Sequence, residues 1–289
     1  MIRAVTLAFT LVLSGPVLGQ GDDAPDPAPS AGLDESAPAL HAMLDAMEVY
    51  RLLSIVAEEN VASAPALEAS LFPGRGGAEW VALMAELHTP ERLSMLFEEG
   101  FPQDAMTPGQ VAEVTEFMTS DLGRRLVAGE IEARVDFMDE DRVDMASAEL
   151  ADAMEADDDR LPILYEFNEV NGFIDRNVTG ALNLRFALLR GLVDGGAFDD
   201  DMGEDLMLEQ VWSQQDEIYR TTVEWLFSYQ LAAYRDISDA ELRAYVAFGE
   251  TNAGRAVNAA LFTAFDEMLG TLSYEIGRAA AGFIAVEDI

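Results

Sequence analysis

The residues able to do chemistry in this chain are few in kind. Its two histidines, His41 and His88, stand apart: one opens the first helical stretch, the other closes a later one just before a Thr-Pro turn. Neither has a His-Glu-x-x-His or His-x-x-His context, so nothing sets two imidazoles on one helix face toward a metal. They read as surface or helix-end histidines. Cysteine is absent, which removes disulfides, thiolate metal sites and cysteine nucleophiles together. Lysine is absent too, since all 17 basic residues are arginine, so Schiff-base and Ser–Lys chemistry is excluded. G-x-S-x-G elbows, P-loops and dinucleotide fingerprints do not occur.

Carboxylates remain. The chain holds 54 of them, clustered at Asp136 to Asp144, Asp157 to Asp159 and Asp194 to Asp205. The last run, DGGAFDDDMGED, has the composition of a calcium loop but not its phase. No starting point puts acids at the first, third and fifth positions, glycine at the sixth and glutamate at the twelfth. It reads as a solvated turn, with a weak divalent-ion site as the alternative. Paired carboxylates for glycosidase-type chemistry stay open as a class, but with so many acids no pair stands out. The sequon Asn177-Val178-Thr179 falls inside a helical stretch and carries no role. No catalytic residue, metal ligand or cofactor is assigned.

The formal net charge is −37. Such a surface repels phosphate backbones and anionic headgroups, which disfavours nucleic acid and membrane surfaces as partners. It suits a cationic partner or a divalent ion, or serves only solubility in a saline medium where salt screens self-repulsion. Arg3, the apolar run Ala4 to Leu13 and the small, helix-breaking Ser14 to Gly19 have the layout of a secretory signal peptide over 1–19. The apolar core is too short to span a bilayer. Residues 20–38, rich in Pro, Asp and Ala, read as a flexible linker. The mature chain is therefore expected to be periplasmic or secreted, without membrane insertion.

These few groups must be positioned by helices. From Leu40 onward apolar residues recur at three- and four-residue steps, as in Leu40, Met43, Leu44, Met47 and again in Val170, Ile174, Val178, Leu182, Phe186, Leu189. Period-two alternation bounded by turns is missing. Breaks are expected at Pro65, Pro73 to Gly77, Gly100 to Pro102, Asp157 to Pro162 and Gly195 to Gly203. Met43, Met47, Met84, Met95, Trp212, Trp225 and Tyr229 read as core, with a groove for an apolar ligand or partner helix as the alternative.

The chain also repeats itself. Thr107-Pro108-Gly109-Gln110 and Ser238-Asp239-Ala240-Glu241 lie 131 positions apart (238 − 107). At that offset Phe117 meets Phe248, Ser120 meets Thr251, Gly123 meets Gly254 and Arg124 meets Arg255. Upstream, Glu86-Leu87 faces Glu217-Ile218, and an offset of 121 pairs Leu40 with Leu161 (161 − 40). A unit of about 120–130 residues used twice accounts for this, giving repeats over 39–155 and 156–289. Thr107 and Ser238 should cap a helix, with Gln110 and Glu241 completing capping boxes. Phe117 and Phe248 end that helix, and Ser120 and Thr251 cap the next. Gly123 and Gly254 fall in its first turn, where glycine implies close approach of another backbone. Arg124 and Arg255 can reach helix-ending carbonyls or an acidic neighbour.

This corner resembles an exported bacterial family known as domain of unknown function 2059, whose hallmark is a Ser/Thr-capped helix ending in Phe followed by Ser-x-x-Gly-Lys/Arg. S238-DAELRAYVAFGETNAGRA matches it more closely than T107-PGQVAEVTEFMTSDLGRRL. The resemblance covers about 40 residues in each half and implies a small helical protein of the bacterial envelope with no established activity. The family is often lysine-rich and single-copy; this chain is neither. The expectation is an all-α bundle of two pseudo-repeats, non-catalytic, binding a protein or small apolar ligand. A carboxylate-based or divalent-metal-dependent enzyme is the alternative.

Overall fold

A computed structural model describes residues 32–198 and 203–285. The leader at 1–19, most of the expected linker and the middle of the Asp194–Asp205 run lie outside the described residues. Within them the chain is all-α: fourteen helices and no strand. None is long and apolar enough to cross a membrane.

In chain order the helices are α1 (Leu33–Ser36), α2 (Pro38–Ala46), α3 (Val49–Leu71), α4 (Gly77–Leu87), α5 (Pro90–Gly100), α6 (Pro108–Met118), α7 (Asp121–Asp136) and α8 (Glu140–Glu155). Then follow α9 (Arg160–Asn171), α10 (Phe173–Asp194), α11 (Glu204–Trp212), α12 (Gln215–Ala233), α13 (Asp239–Gly249) and α14 (Asn252–Ile284). Six helices, α2 to α7, can be set in order against α9 to α14, and several of their pairings correspond. α2 lies on α6 as α9 lies on α13, and α3 touches α4 and α5 as α10 touches α11 and α12. One pairing is exchanged: α14 packs on α5, and α7 packs on α12. Neither half therefore closes its own core. Leu53, Phe97 and Val114 share one cluster with Phe262 and Phe265, and Leu126 and Ala133 share another with Phe167 and Tyr229.

The halves differ after the corner. α14 runs unbroken and lies parallel to α10, where Gly191 and Gly277 let the two backbones approach until a methyl group on either would strike a carbonyl of the other helix. In the first half the helix stops at Asp136. Asp139 then caps α8, accepting from the Asp141 N–H at 3.0 Å, and α8 turns onto α12 instead.

Two local expectations need correction. Pro65 does not break the chain; it sits inside α3 on the exposed side, while Ile55, Ala57, Ala64 and Glu68 are buried on the other. Packing of that face outweighs the one backbone bond that proline removes. The expected break around Asp157 to Pro162 does occur, between Glu155 and Arg160, with Pro162 in the first turn of α9 where its missing N–H has no intrahelical partner to lose. Residues 32–38, assigned to the linker, hold α1 and the start of α2; Leu33 is only 1 % exposed and joins the core.

Candidate functional site

The two repeated corners come face to face. Thr107 accepts from the Gln110 N–H at 3.3 Å while the Gln110 side chain accepts from the Thr107 N–H at 2.8 Å. Ser238 and Glu241 form the same box at 3.4 and 3.0 Å. Ser120 and Thr251 accept from the N–H groups of Gly123 and Gly254 at 3.0 and 2.9 Å, starting α7 and α14. Any Cβ on Gly123 or Gly254 would strike the carbonyl oxygen of Phe117 or Phe248, so the corner can be this tight only with glycine. Arg124 pairs with Asp121 at 3.2 Å on the surface, and Arg255 is exposed. The phenyl rings of Phe117 and Phe248 stack on one another, centroids 3.9 Å apart and nearly parallel. Each capping box also reaches across: Gln110 Nε2 donates to the Asn252 carbonyl at 3.1 Å, and Glu241 receives the Arg125 guanidinium. That guanidinium, with the cap hydrogen bonds, holds the Glu241 carboxyl at about 2.

Behind this seam lies an acid whose chemistry the packing reshapes upward. Glu130 projects from α7 between the halves. Its Oε1 accepts from Tyr234 at 2.7 Å and Tyr245 at 3.3 Å, and its backbone carbonyl accepts from Tyr229 at 2.6 Å. Tyr245 also faces the stacked pair, 5.9 Å from the Phe117 ring. The residue keeps some accessible surface, but protein surrounds its carboxyl group. Burial raises that carboxyl to about 7, against two tyrosine hydrogen bonds that favour the anion. The hydroxyls of Tyr234 and Tyr245 are pushed well above their ordinary value, chiefly by burial and then by the nearby Glu130 charge.

Glu130 lines two cavities. Phe167, Phe173, Tyr229, Gln230, Tyr234 and Tyr245 complete one; the other is closed by residues including Met47, Leu52, Val127, Leu261 and Phe265. Each holds about 30 Å³, room for roughly one or two waters. Next to the first cavity Asn168 and Gln230 exchange a pair of buried amide hydrogen bonds at 2.8 and 2.9 Å. On the far side of Tyr229, Arg134 forms a buried pair with Glu59 and lies 6.0 Å over the Trp225 ring. Chemically the cluster can hold or release a proton inside a water-sized space.

Sequence reasoning assigned the corner residues but missed Glu130, which looks like any of 54 acids. The 131-residue offset held a signal. At the same offset Glu130 faces Leu261 (130 + 131), Tyr245 faces Val114 (245 − 131) and Tyr234 faces Gln103 (234 − 131). A polar cluster thus stands where the other half is mostly apolar. The histidines divide: His41 stacks on Tyr50 at 5.0 Å, whereas His88 at the end of α4 is buried, its Nδ1 2.9 Å from the Met84 carbonyl oxygen. Burial lowers its affinity for a proton. Asn177 is buried and donates to the Phe173 carbonyl at 2.8 Å, so the sequon is closed. Among the described residues no group of three or more His, Asp or Glu is arranged to hold a metal ion.

No family model, curated protein or solved structure matches this chain.

Proposed function

We propose that this is a non-catalytic, exported helical protein of the bacterial envelope, periplasmic or secreted, that acts by binding another protein. Its two halves are read as copies of one unit related to domain of unknown function 2059. The matched capping boxes, the glycine-tight corners and the shared order of pairings support the duplication. The observation that carries the functional reading is the enclosure of Glu130. A carboxyl raised to about 7 is ringed by tyrosines and lines cavities of about 30 Å³, too small for an organic substrate or an apolar ligand. Binding therefore belongs to the outer surface, which favours a protein over a small molecule.

One observation favours the carboxylate-enzyme alternative: a carboxyl near 7 with hydroxyl donors on it has the tuning of a general acid. A single experiment separates the two. The purified mature chain, offered ester, glycoside, phosphoester and peptide substrates, should show no turnover beyond that of Glu130→Gln. Cross-linking in intact cells should join it to a defined protein. Turnover abolished by Glu130→Gln would overturn the binding reading, and so would a chain that cross-links to nothing in cells expressing it.

A further inference from the structure

Trp212 and Met95 were both expected in the core, yet they are 55 % and 50 % exposed. Trp212 belongs to a pattern. Met207 and Val211 on α11 and Ile218 at the start of α12 are buried in one cluster with α10 residues Val178, Leu182 and Leu189. Their spacing of four and seven keeps them on one face across the turn between α11 and α12. The turn between them is tight: Ser213 is helical (φ −61°, ψ −15°), Gln214 departs from helix (φ −100°, ψ 0°), and the N–H groups of the two bond back to Glu209 and Val211 at 3.0 and 3.1 Å. Each buried residue is followed by an exposed apolar one: Leu208 at 38 %, Trp212 at 55 % and Tyr219 at 50 %. One residue further is about 100° around a helix. Leu208, Trp212 and Tyr219 therefore form a second apolar row beside the buried one, facing out at steps of four and seven, with the polar Gln215 and Asp216 between the last two.

The stripe is edged by one sign of charge. From Glu204 to Arg220 the acids are Glu204, Asp205, Glu209, Asp216 and Glu217; the lone base, Arg220, is tied to Glu217 at 2.6 Å. From α10 the only cation reaching this region is Arg185, which is engaged by the Gln214 side chain. An occupant must bring apolar contact and positive charge together. A second copy of this chain, at −37, brings the wrong charge, as does an anionic lipid surface. We propose that the Leu208–Trp212–Tyr219 stripe docks a basic amphipathic helix of a partner protein. The inference rests on the binding reading above and gives it a surface and a partner class.

The test uses the mature chain and a synthetic helical peptide of leucine and lysine, with a leucine and glutamate peptide of the same pattern as control. The basic peptide should bind with micromolar affinity by calorimetry, more weakly as salt rises, and the acidic one should not bind. Trp212→Ala, a change at an exposed site, should weaken binding at least about tenfold, while Met95→Ala leaves it unchanged. Equal affinity of native and Trp212→Ala chains would mean charge alone attracts the peptide and would overturn the assignment. Trp212-dependent binding to phosphatidylcholine vesicles, or self-association lost in Trp212→Ala, would overturn it in favour of a lipid surface or a second copy. These failures leave the non-catalytic reading standing, because that reading falls on turnover by the native chain.

Discussion

Glu130 brings the acidity of the medium into the middle of the molecule. Its folded carboxyl lies near 7 and its ordinary value near 4.5, burial being the main cause. Below the lower value both states carry the proton. As pH rises between the two, the unfolded chain releases its proton while the folded one keeps it, so stability falls across that window and stays lower above it. The cost above pH 7 is on the order of 3 kcal/mol. Glu130→Gln keeps a neutral acceptor for Tyr234 and Tyr245 without an ionisable group. The variant should match the native chain near pH 4 and exceed it by about 1–3 kcal/mol at pH 8, read from urea midpoints. Parallel pH profiles for the two chains would show that the carboxyl ionises inside without penalty. A change of this kind is residue-scale: it alters one charge and leaves every helix in place.

The corners act at the scale of elements. Thr107, Ser120, Ser238 and Thr251 supply the N-caps, and Gly123 and Gly254 let each new helix start against the carbonyl of the phenylalanine before it. A methyl group at Gly254 meets backbone, which cannot swing aside. Gly254→Ala should cost about 2 kcal/mol or more. Gly270 lies in the same helix, and a methyl group there would meet open space. Gly270→Ala should therefore be neutral or stabilising by up to about 1 kcal/mol. Chemical denaturation of the two variants side by side checks this, and equal responses would mean that the corner yields. The caps were legible in the sequence because capping is local chemistry. The stack of Phe117 on Phe248 was not, because it joins residues 131 positions apart (248 − 117) through the exchange of helices between halves.

At the scale of the whole molecule, charge dominates. A net −37 on one chain repels itself, and salt relieves that strain. Sodium chloride should raise the melting temperature progressively. Calcium or magnesium at matched ionic strength should raise it no further, since a specific ion would add a saturable increment of its own. A saturable divalent increment would restore the metal-dependent alternative and point to the acidic runs. The core is also a property of the whole: α5 needs α14, and α7 needs α12, so the two halves stand or fall together.

The sequence by itself determined the all-α class, about half of the helix ends and the capped corner, because periodicity, caps and glycines act within a turn or two of the chain. It failed at Pro65 and Trp212, in opposite directions. Pro65 looked like a breaker until tertiary packing held α3 together around it. Trp212 looked like core until α11 buried Met207 and Val211 and left the next position facing out. Only the tertiary structure decided that the Glu130 carboxyl is enclosed, because burial arises from neighbours distant in sequence. Glu130 differs from the other acids because Tyr229, Tyr234 and Tyr245 from the opposite half surround it.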